Sequence, residues 1–287
     1  MNLGIINSAF QQVGVETSTG LRQIARIGFD TVDIFTEAFG ISKDEVRQVA
    51  NTTQTLGLPI ISLPVVALGL IDFNEPVRDF HVERCRRYIN LACNWQAKNI
   101  LLVLGEYIWQ REVIPPQAQW DWGLETCRRL GDYAEENGID IALELEPFRL
   151  SLLNNVDRMA RFIDQCGHPR VRANIDISHL VLSDCGPAEM KKLRGKAIHV
   201  HLSDCDGKTH GDLPPGRGVV RFAPYLQAVR ELGIDQATVS VELEYSSEPE
   251  NIVDWVEEAY REASRLMELA GLRNKNNSSS PVSRGDQ

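Results

Sequence analysis

Short apolar runs alternate with longer amphipathic segments eight times along this chain, and that rhythm constrains its fold more than any other feature. The runs cover residues 3–6, 31–35, 59–66, 99–104, 139–145, 171–177, 197–202 and 237–243. Helical segments follow them at 19–28, 42–57, 76–96, 115–137, 156–166, 187–193, 222–232 and 249–270. Local signals set several boundaries. Ser42 lies three residues before Glu45, a capping-box spacing, and Gly57 and Gly138 stand where helices must stop. Strand–helix alternation demands parallel strands joined by right-handed crossovers. Eight such units in ~270 residues fit a closed (β/α)8 TIM barrel, a single α/β domain over residues 1–271. A doubly wound nucleotide-binding sheet would carry a glycine-rich turn after its first strand; here that turn reads Asn7-Ser8-Ala9-Phe10. The polar residues 272–287 are expected to form a disordered tail.

Composition narrows the partners. Lysine and arginine total 30 against 40 acidic residues, a formal charge of −10, so neither nucleic acid nor an anionic membrane is an expected partner. No run reaches the roughly 18 apolar residues of a membrane-spanning helix, and residues 1–4 show no signal-peptide pattern. Six cysteines occur without a CxxC pair, which reads as reduced thiols in a cytoplasmic protein.

In a barrel, polar residues at the C-terminal ends of strands line one shared mouth. Four successive strands end in such residues: Glu144 and Glu146 on the fifth, Asp176 on the sixth, His199 and His201 on the seventh, Glu242 and Glu244 on the eighth. Within each pair the side chains share a face, one deeper and one nearer the rim, because strand side chains repeat every two residues. Spacing alone leaves open which member of each pair acts, and a lone His199 reads as a core histidine. Carboxylates crowded into one pocket repel one another, and a divalent cation resolves that repulsion. A set of glutamate, aspartate and histidine suits Mn2+, Mg2+ or Co2+, with Zn2+ also compatible. Trp109, Trp120 and Trp122 could wall a sugar pocket, Arg217 could hold an anionic group, and Glu106 follows the fourth strand.

The stretches IALELEP (141–147), NIDISHL (174–180), IHVHLSDCDGKTHGDLPPGRG (198–218) and VSVELEY (239–245) give the chain a resemblance to the sugar phosphate isomerase/epimerase superfamily, the xylose-isomerase-like barrels. The resemblance covers about residues 1–270. It implies that Glu144, Asp176, His201 and Glu242 hold one divalent metal ion, Mn2+ foremost, and that Glu144 and Glu242 also move protons. It implies substrate contacts at His179 and His210, with Glu146, Asp204, Arg217, Glu244 and Trp109 added as candidates. The activity implied is a sugar isomerase or epimerase acting on a keto-sugar or polyol through an enediolate. A dehydratase using the same ligands and a non-catalytic metabolite-binding barrel are the alternatives. The expected partner is a small sugar or polyol, and a homo-oligomer is compatible with the sequence. The loop 204–218, rich in Gly and Pro, is expected to close over substrate.

Overall fold

The computed structural model describes residues 1–109 and 114–274. In chain order its elements are β1 (Asn2–Ile6), α1 (Ser8–Gln11), α2 (Thr17–Ile27), β2 (Thr31–Asp33), α3 (Lys43–Leu56), β3 (Ser62–Val66), α4 (Glu75–Asn94), β4 (Asn99–Val103), α5 (Pro116–Glu136), β5 (Asp140–Leu143), α6 (Val156–Cys166), β6 (Val171–Asp176), α7 (Ile177–Leu182), β7 (Ala197–Leu202), α8 (Phe222–Leu232), β8 (Thr238–Val241) and α9 (Ile252–Leu269). Short 3-10 turns add Leu68–Ile71, Pro187–Leu193 and Pro249–Asn251. The eight strands pair in the order β2-β1-β8-β7-β6-β5-β4-β3, all parallel. A parallel bridge between Val32 and Ile60 closes the sheet into the expected barrel.

That last seam is short. Backbone hydrogen bonds run from Val32 N to Pro59 O and from Ile34 N to Ser62 O, at 3.0 and 2.9 Å. Asp33 adds a side-chain tie: its Oδ1 accepts from Ser62 N at 3.0 Å, while its Oδ2 lies 2.9 Å from Nε2 of His199 on the far side of the barrel. Both side chains are fully buried, so His199 is the core histidine that the sequence suggests, paired through Nε2 while its Nδ1 has no hydrogen-bond partner.

Sequence-coded caps set the helix boundaries. The Ser42 hydroxyl accepts from Glu45 N at 3.1 Å, and Asn155 Oδ1 accepts from Arg158 N at 2.9 Å. Gly57 and Gly167 close their helices in the left-handed conformation, at φ +61° and +66°. Two short helices are absent from the sequence reading. Four-residue α1 and six-residue α7 are too short to show a 3.6-residue period.

The C-terminal boundary also moves. Leu272 and Arg273 are buried and belong to the barrel body. Leu272 O accepts from the Met1 ammonium at 2.6 Å, and Arg273 pairs with Asp30. Residues 275–287, most of the expected tail, lie outside the described residues. Among the described residues no helix is long and apolar enough to cross a membrane. All six cysteines are free thiols.

Candidate active site

The C-terminal strand ends enclose a cavity of about 400 Å3. One side is acidic, with Glu106, Glu144, Glu146, Glu242 and Glu244; the other is apolar, with Phe35, Val66, Leu68 and Phe148 among its walls. No lysine or arginine lines it among the described residues. A second hollow of about 530 Å3 opens at the opposite end of the barrel beside Asn2, Lys98 and Thr238. None of its lining residues belongs to a group able to hold a metal, so the chemistry belongs to the mouth.

The register of β5 to β8 builds the floor of this cavity. Asp176 of β6 stands opposite His201 of β7, and His201 opposite Ser240, two residues before Glu242. Three carboxylates therefore surround one imidazole. His201 Nδ1 lies 2.8 Å from Glu242 Oε2, 3.4 Å from Glu144 Oε2 and 3.9 Å from Asp176 Oδ2. The sequence-expected quartet is thus brought together in space.

Two members, Asp176 and Glu144, are held from outside. Asp176 Oδ1 accepts from His179 N at 2.8 Å and from Ser178 Oγ at 2.9 Å, so the aspartate also caps α7. Glu144 accepts from Leu145 N at 3.0 Å and from Asn174 Nδ2 at 2.6 Å. The inward atoms are left unsatisfied: Asp176 Oδ2, Glu242 Oε2 and both nitrogens of His201 are buried without a hydrogen-bond partner. Buried polar atoms of this kind cost about 1–3 kcal/mol each when nothing meets them. A divalent cation held by Asp176, His201 and Glu242, whose donor atoms all lie within 4.8 Å of one another, would satisfy the two carboxylate oxygens and one His201 nitrogen together, and one imidazole with carboxylates is chemistry that Mn2+, Mg2+, Co2+ or Zn2+ accepts.

The electrostatics agree with that fit. Burial, reinforced by the charges of Asp212, Asp176, Glu244 and Glu144, pushes the Glu242 carboxyl well above its ordinary value. Burial pushes Glu146 up to about 7 and Asp212 up to about 6. Burial holds the His201 imidazole below its usual value, which favours the neutral form that binds metals. Burial alone would raise Asp176, but the facing His179 and His201 and the His179 N–H outweigh it and hold the carboxyl low.

The outer residues divide. Glu146, His179, His210 and Glu244 line the mouth as expected. His179 Nδ1 hydrogen-bonds Leu145 O across 2.6 Å, and its Nε2 meets His210 Nε2 at 2.7 Å. Three expected substrate contacts are elsewhere. Trp109 is half-exposed and outside the cavity wall. Arg217 points away from the mouth, pairing with Glu258 at 2.7 Å while its guanidinium lies over Trp255. Asp204 is buried and spends both oxygens on backbone: Oδ1 accepts from Cys205 N and Val220 N, and Oδ2 from Gly216 N and Gly218 N. The other tryptophans are also structural. The Trp120 indole donates to Gln165 at 2.7 Å, and Trp122 lies under Arg78.

Asp204 thus staples the loop that carries His210 and Asp212 to the mouth. Gly218 is required there, because a Cβ would fall 2.1 Å from Cys205 O. Replacing Asp204 by Ala strands four N–H groups, one of them on buried Cys205 and the others on half-buried or exposed residues, and the expected loss is about 2 kcal/mol or more of unfolding free energy. Urea unfolding measures it, and a loss under about 1 kcal/mol would contradict the staple.

Two residues at the site escape the sequence reading. Asp212 is fully buried beside Ser178 and Ser203, and it lies in a loop without periodicity. Asn174 does carry a signal: it precedes Asp176 by two residues and therefore shares its face.

Comparison with known proteins agrees with this architecture. The family described as "Xylose isomerase-like TIM barrel" matches residues 21–269. The chain is 24% identical over 262 residues to fructoselysine 3-epimerase of Shigella flexneri, covering 87% of this chain and 93% of that protein. Among solved structures, D-psicose 3-epimerase with D-tagatose from Clostridium cellulolyticum H10 superposes with a TM-score of 0.77 at 19% identity, covering 94% of this chain and 98% of that one. The IOLI protein solved with a zinc atom gives a TM-score of 0.81 at 16% identity, covering 94% and 99%. The fold, its closure and the match over residues 21–269 together make this chain a member of the xylose isomerase-like TIM barrel family.

Proposed function

We propose that this barrel is a divalent-metal-dependent epimerase or isomerase of a ketose or related polyol. The observation that carries this reading is the convergence of Glu144, Asp176 and Glu242 on His201, with inward atoms unpaired at the floor of the mouth. When bound, the cation supplies Lewis acidity to a carbonyl oxygen and the neighbouring hydroxyl of the substrate. The chain's own groups do the rest. Glu144 and Glu242 come from the ends of two different strands and both approach His201 Nδ1, at 3.4 and 2.8 Å, and in this reading they address the two faces of a substrate carbon. Glu144, oriented by Asn174 and the Leu145 N–H, takes the proton from the carbon beside the carbonyl. The electron pair passes to the carbonyl oxygen, giving an enediolate. Glu242 returns a proton to the opposite face, which inverts that carbon; return to the neighbouring carbon gives the isomerase outcome instead. Glu146 and Glu244, nearer the rim, meet the substrate's other hydroxyls.

The names of the similar proteins support a sugar substrate: fructoselysine 3-epimerase and D-psicose 3-epimerase act on ketoses or ketose adducts, as their names state. The wall charges refine the class. A cavity with five glutamates and no lysine or arginine among its described lining residues repels a phosphate ester, so the substrate is a non-phosphorylated ketose. A panel of free ketoses, inososes and their phosphate esters, followed by NMR in D2O, tests both points. Deuterium at the carbon beside the carbonyl of a free sugar is the expected result, with the phosphate esters at least about tenfold slower. Exchange confined to phosphate esters overturns the substrate class. No exchange on any of them with the metal-loaded protein overturns the enolising mechanism, and loss of a hydroxyl without exchange into recovered substrate would favour the dehydratase.

A further inference from the structure

We infer that the mouth is built for a ketose with a cationic tail: an ammonium group, at the end of an alkyl substituent, held by Glu106 and Ser151 at the edge of the apolar wall. The inference rests on the reading that the ketose head sits over the His201 floor, and it adds what that head carries.

Of the five glutamates lining the mouth, Glu106 is the one left without a task in the proposed chemistry. It follows β4, and in the closed ring of strands β4 lies four places from β8, so Glu106 stands across the opening from Glu242 and Glu244. Glu106 is exposed, and its side chain has no ion pair or hydrogen bond among the described residues. Water satisfies such a carboxylate while the mouth is empty. A ligand filling the mouth removes that water, and a neutral ligand would leave the charge unpaired. No described lysine or arginine of the wall offsets it, so the ligand itself has to bring the positive charge.

Ser151 marks the same corner independently. It joins Glu106 through an antiparallel bridge, lines the cavity and is 3% exposed, yet its Oγ has no hydrogen-bond partner. Buried hydroxyls ordinarily find one. An ammonium group has three donors and no acceptor, and a carboxylate beside a hydroxyl oxygen can accept two of them. Phe148 belongs to the same turn, since Ser151 N donates to Phe148 O at 3.0 Å. Its exposed side chain also lines the mouth, and an aromatic face attracts a cation.

The apolar wall accounts for the alkyl spacer. Val66 and Leu68 line the cavity and are 47% and 50% exposed, so methylenes laid over them remove apolar surface from water. Leu68 adjoins the neighbour of Glu106: a Cβ on Gly105 would fall 2.5 Å from Leu68 O. A chain lying on Leu68 therefore ends beside Glu106. At the other end of the mouth Ser8 follows β1, the strand next to β8, and its buried Oγ is a second unpartnered hydroxyl on the wall, placed for a hydroxyl of the sugar head.

The test compares two series of ketose ethers, substituted at C1 or at C6 with chains of increasing length. One series ends in an ammonium group and the other in the isosteric methyl. Calorimetry on the Mn2+-loaded full-length protein gives Kd, and NMR in D2O follows exchange beside the carbonyl for the same compounds. At the best length the ammonium form should bind at least about tenfold more tightly than its methyl isostere. Glu106→Gln should erase about that factor and leave the isostere's Kd within about twofold. Ser151→Ala keeps the carboxylate and should weaken the ammonium form by about threefold, again sparing the isostere. Equal binding of the two forms, or tighter binding of the methyl form, overturns the cationic tail and leaves the ketose reading standing. An ammonium preference that persists in Glu106→Gln overturns the subsite. A preference that depends on Glu106 without exchange in any compound upholds the subsite and overturns the enolising mechanism. Binding of neither series overturns both.

Discussion

Glu242→Gln and Glu144→Gln should each slow turnover of the true substrate by about a thousandfold, as removal of a positioned acid–base group does. Both exchanges keep the side chain's shape, and in Glu144→Gln the amide oxygen can still accept from Leu145 N or Asn174 Nδ2. The change therefore falls on proton transfer rather than on the barrel. The matching changes at Glu146 and Glu244 should act chiefly on KM, because these residues line the cavity nearer its rim. The decisive measurement is exchange of the substrate's α-proton with D2O for all four variants. If the Glu146 or Glu244 variant loses exchange while the Glu144 and Glu242 variants keep it, the assignment within each glutamate pair is reversed.

Removing the cation should abolish activity, and the pH dependence of its binding follows from the shifted carboxyls. Glu242 is pushed well up and Glu146 to about 7, in both cases foremost by burial. A carboxyl whose folded value exceeds its unfolded one stabilises the fold fully below the unfolded value, and that contribution is lost as pH rises through the folded value. The cation-free protein should therefore lose stability from pH 5 to pH 8. A cation displaces the proton of its ligand Glu242 and its charge favours the ionised form of nearby Glu146, so its stabilising effect should grow over the same range. At a hundred times Kd it contributes about 2.7 kcal/mol, which is roughly 5–10 °C in Tm for a domain of this size. Thermal melts with and without Mn2+ at pH 5.5 and 8 measure the effect. An Mn2+ increment that is equal at both pH values, or larger at the lower one, contradicts this account. Asp176→Asn is the informative variant: the amide oxygen can still cap α7, so loss of the Mn2+ increment with the cation-free Tm nearly unchanged isolates the ligand role.

Much of this was legible in the residues themselves, because the signals were local. Strand length, helical period and caps such as Ser42 and Asn155 are readable within a few positions of one another. The quartet was legible for a different reason: barrel topology sends every strand end to one rim, so residues at successive strand ends are neighbours in space. The limits were equally physical. Loop residues have no period, and nothing in the spacing of Asp204, Arg217 and Asp212 says which side chain turns inward. Asp204 turned to the loop's own backbone, Arg217 to Glu258, and Asp212 toward His210 and the histidine cluster of the mouth. Trp109 shows the same limit, since closeness in sequence to the fourth strand did not place it on the cavity wall. Short α7 was hidden by its length, yet its cap is written in the segment Asp176 to His179, an aspartate three residues ahead of the amide it accepts from.

Asp33 has a mechanical consequence. Where the ladder between β2 and β3 runs short, its carboxylate rivets the last stave of the barrel to Ser62, and the same group braces His199. The His199 ring in turn meets the His201 ring edge-on, with centroids 5.2 Å apart. The shortest joint of the barrel wall is thus linked, through two imidazoles, to the floor of the mouth. The shape of the cavity can be tuned from a residue that does not line it.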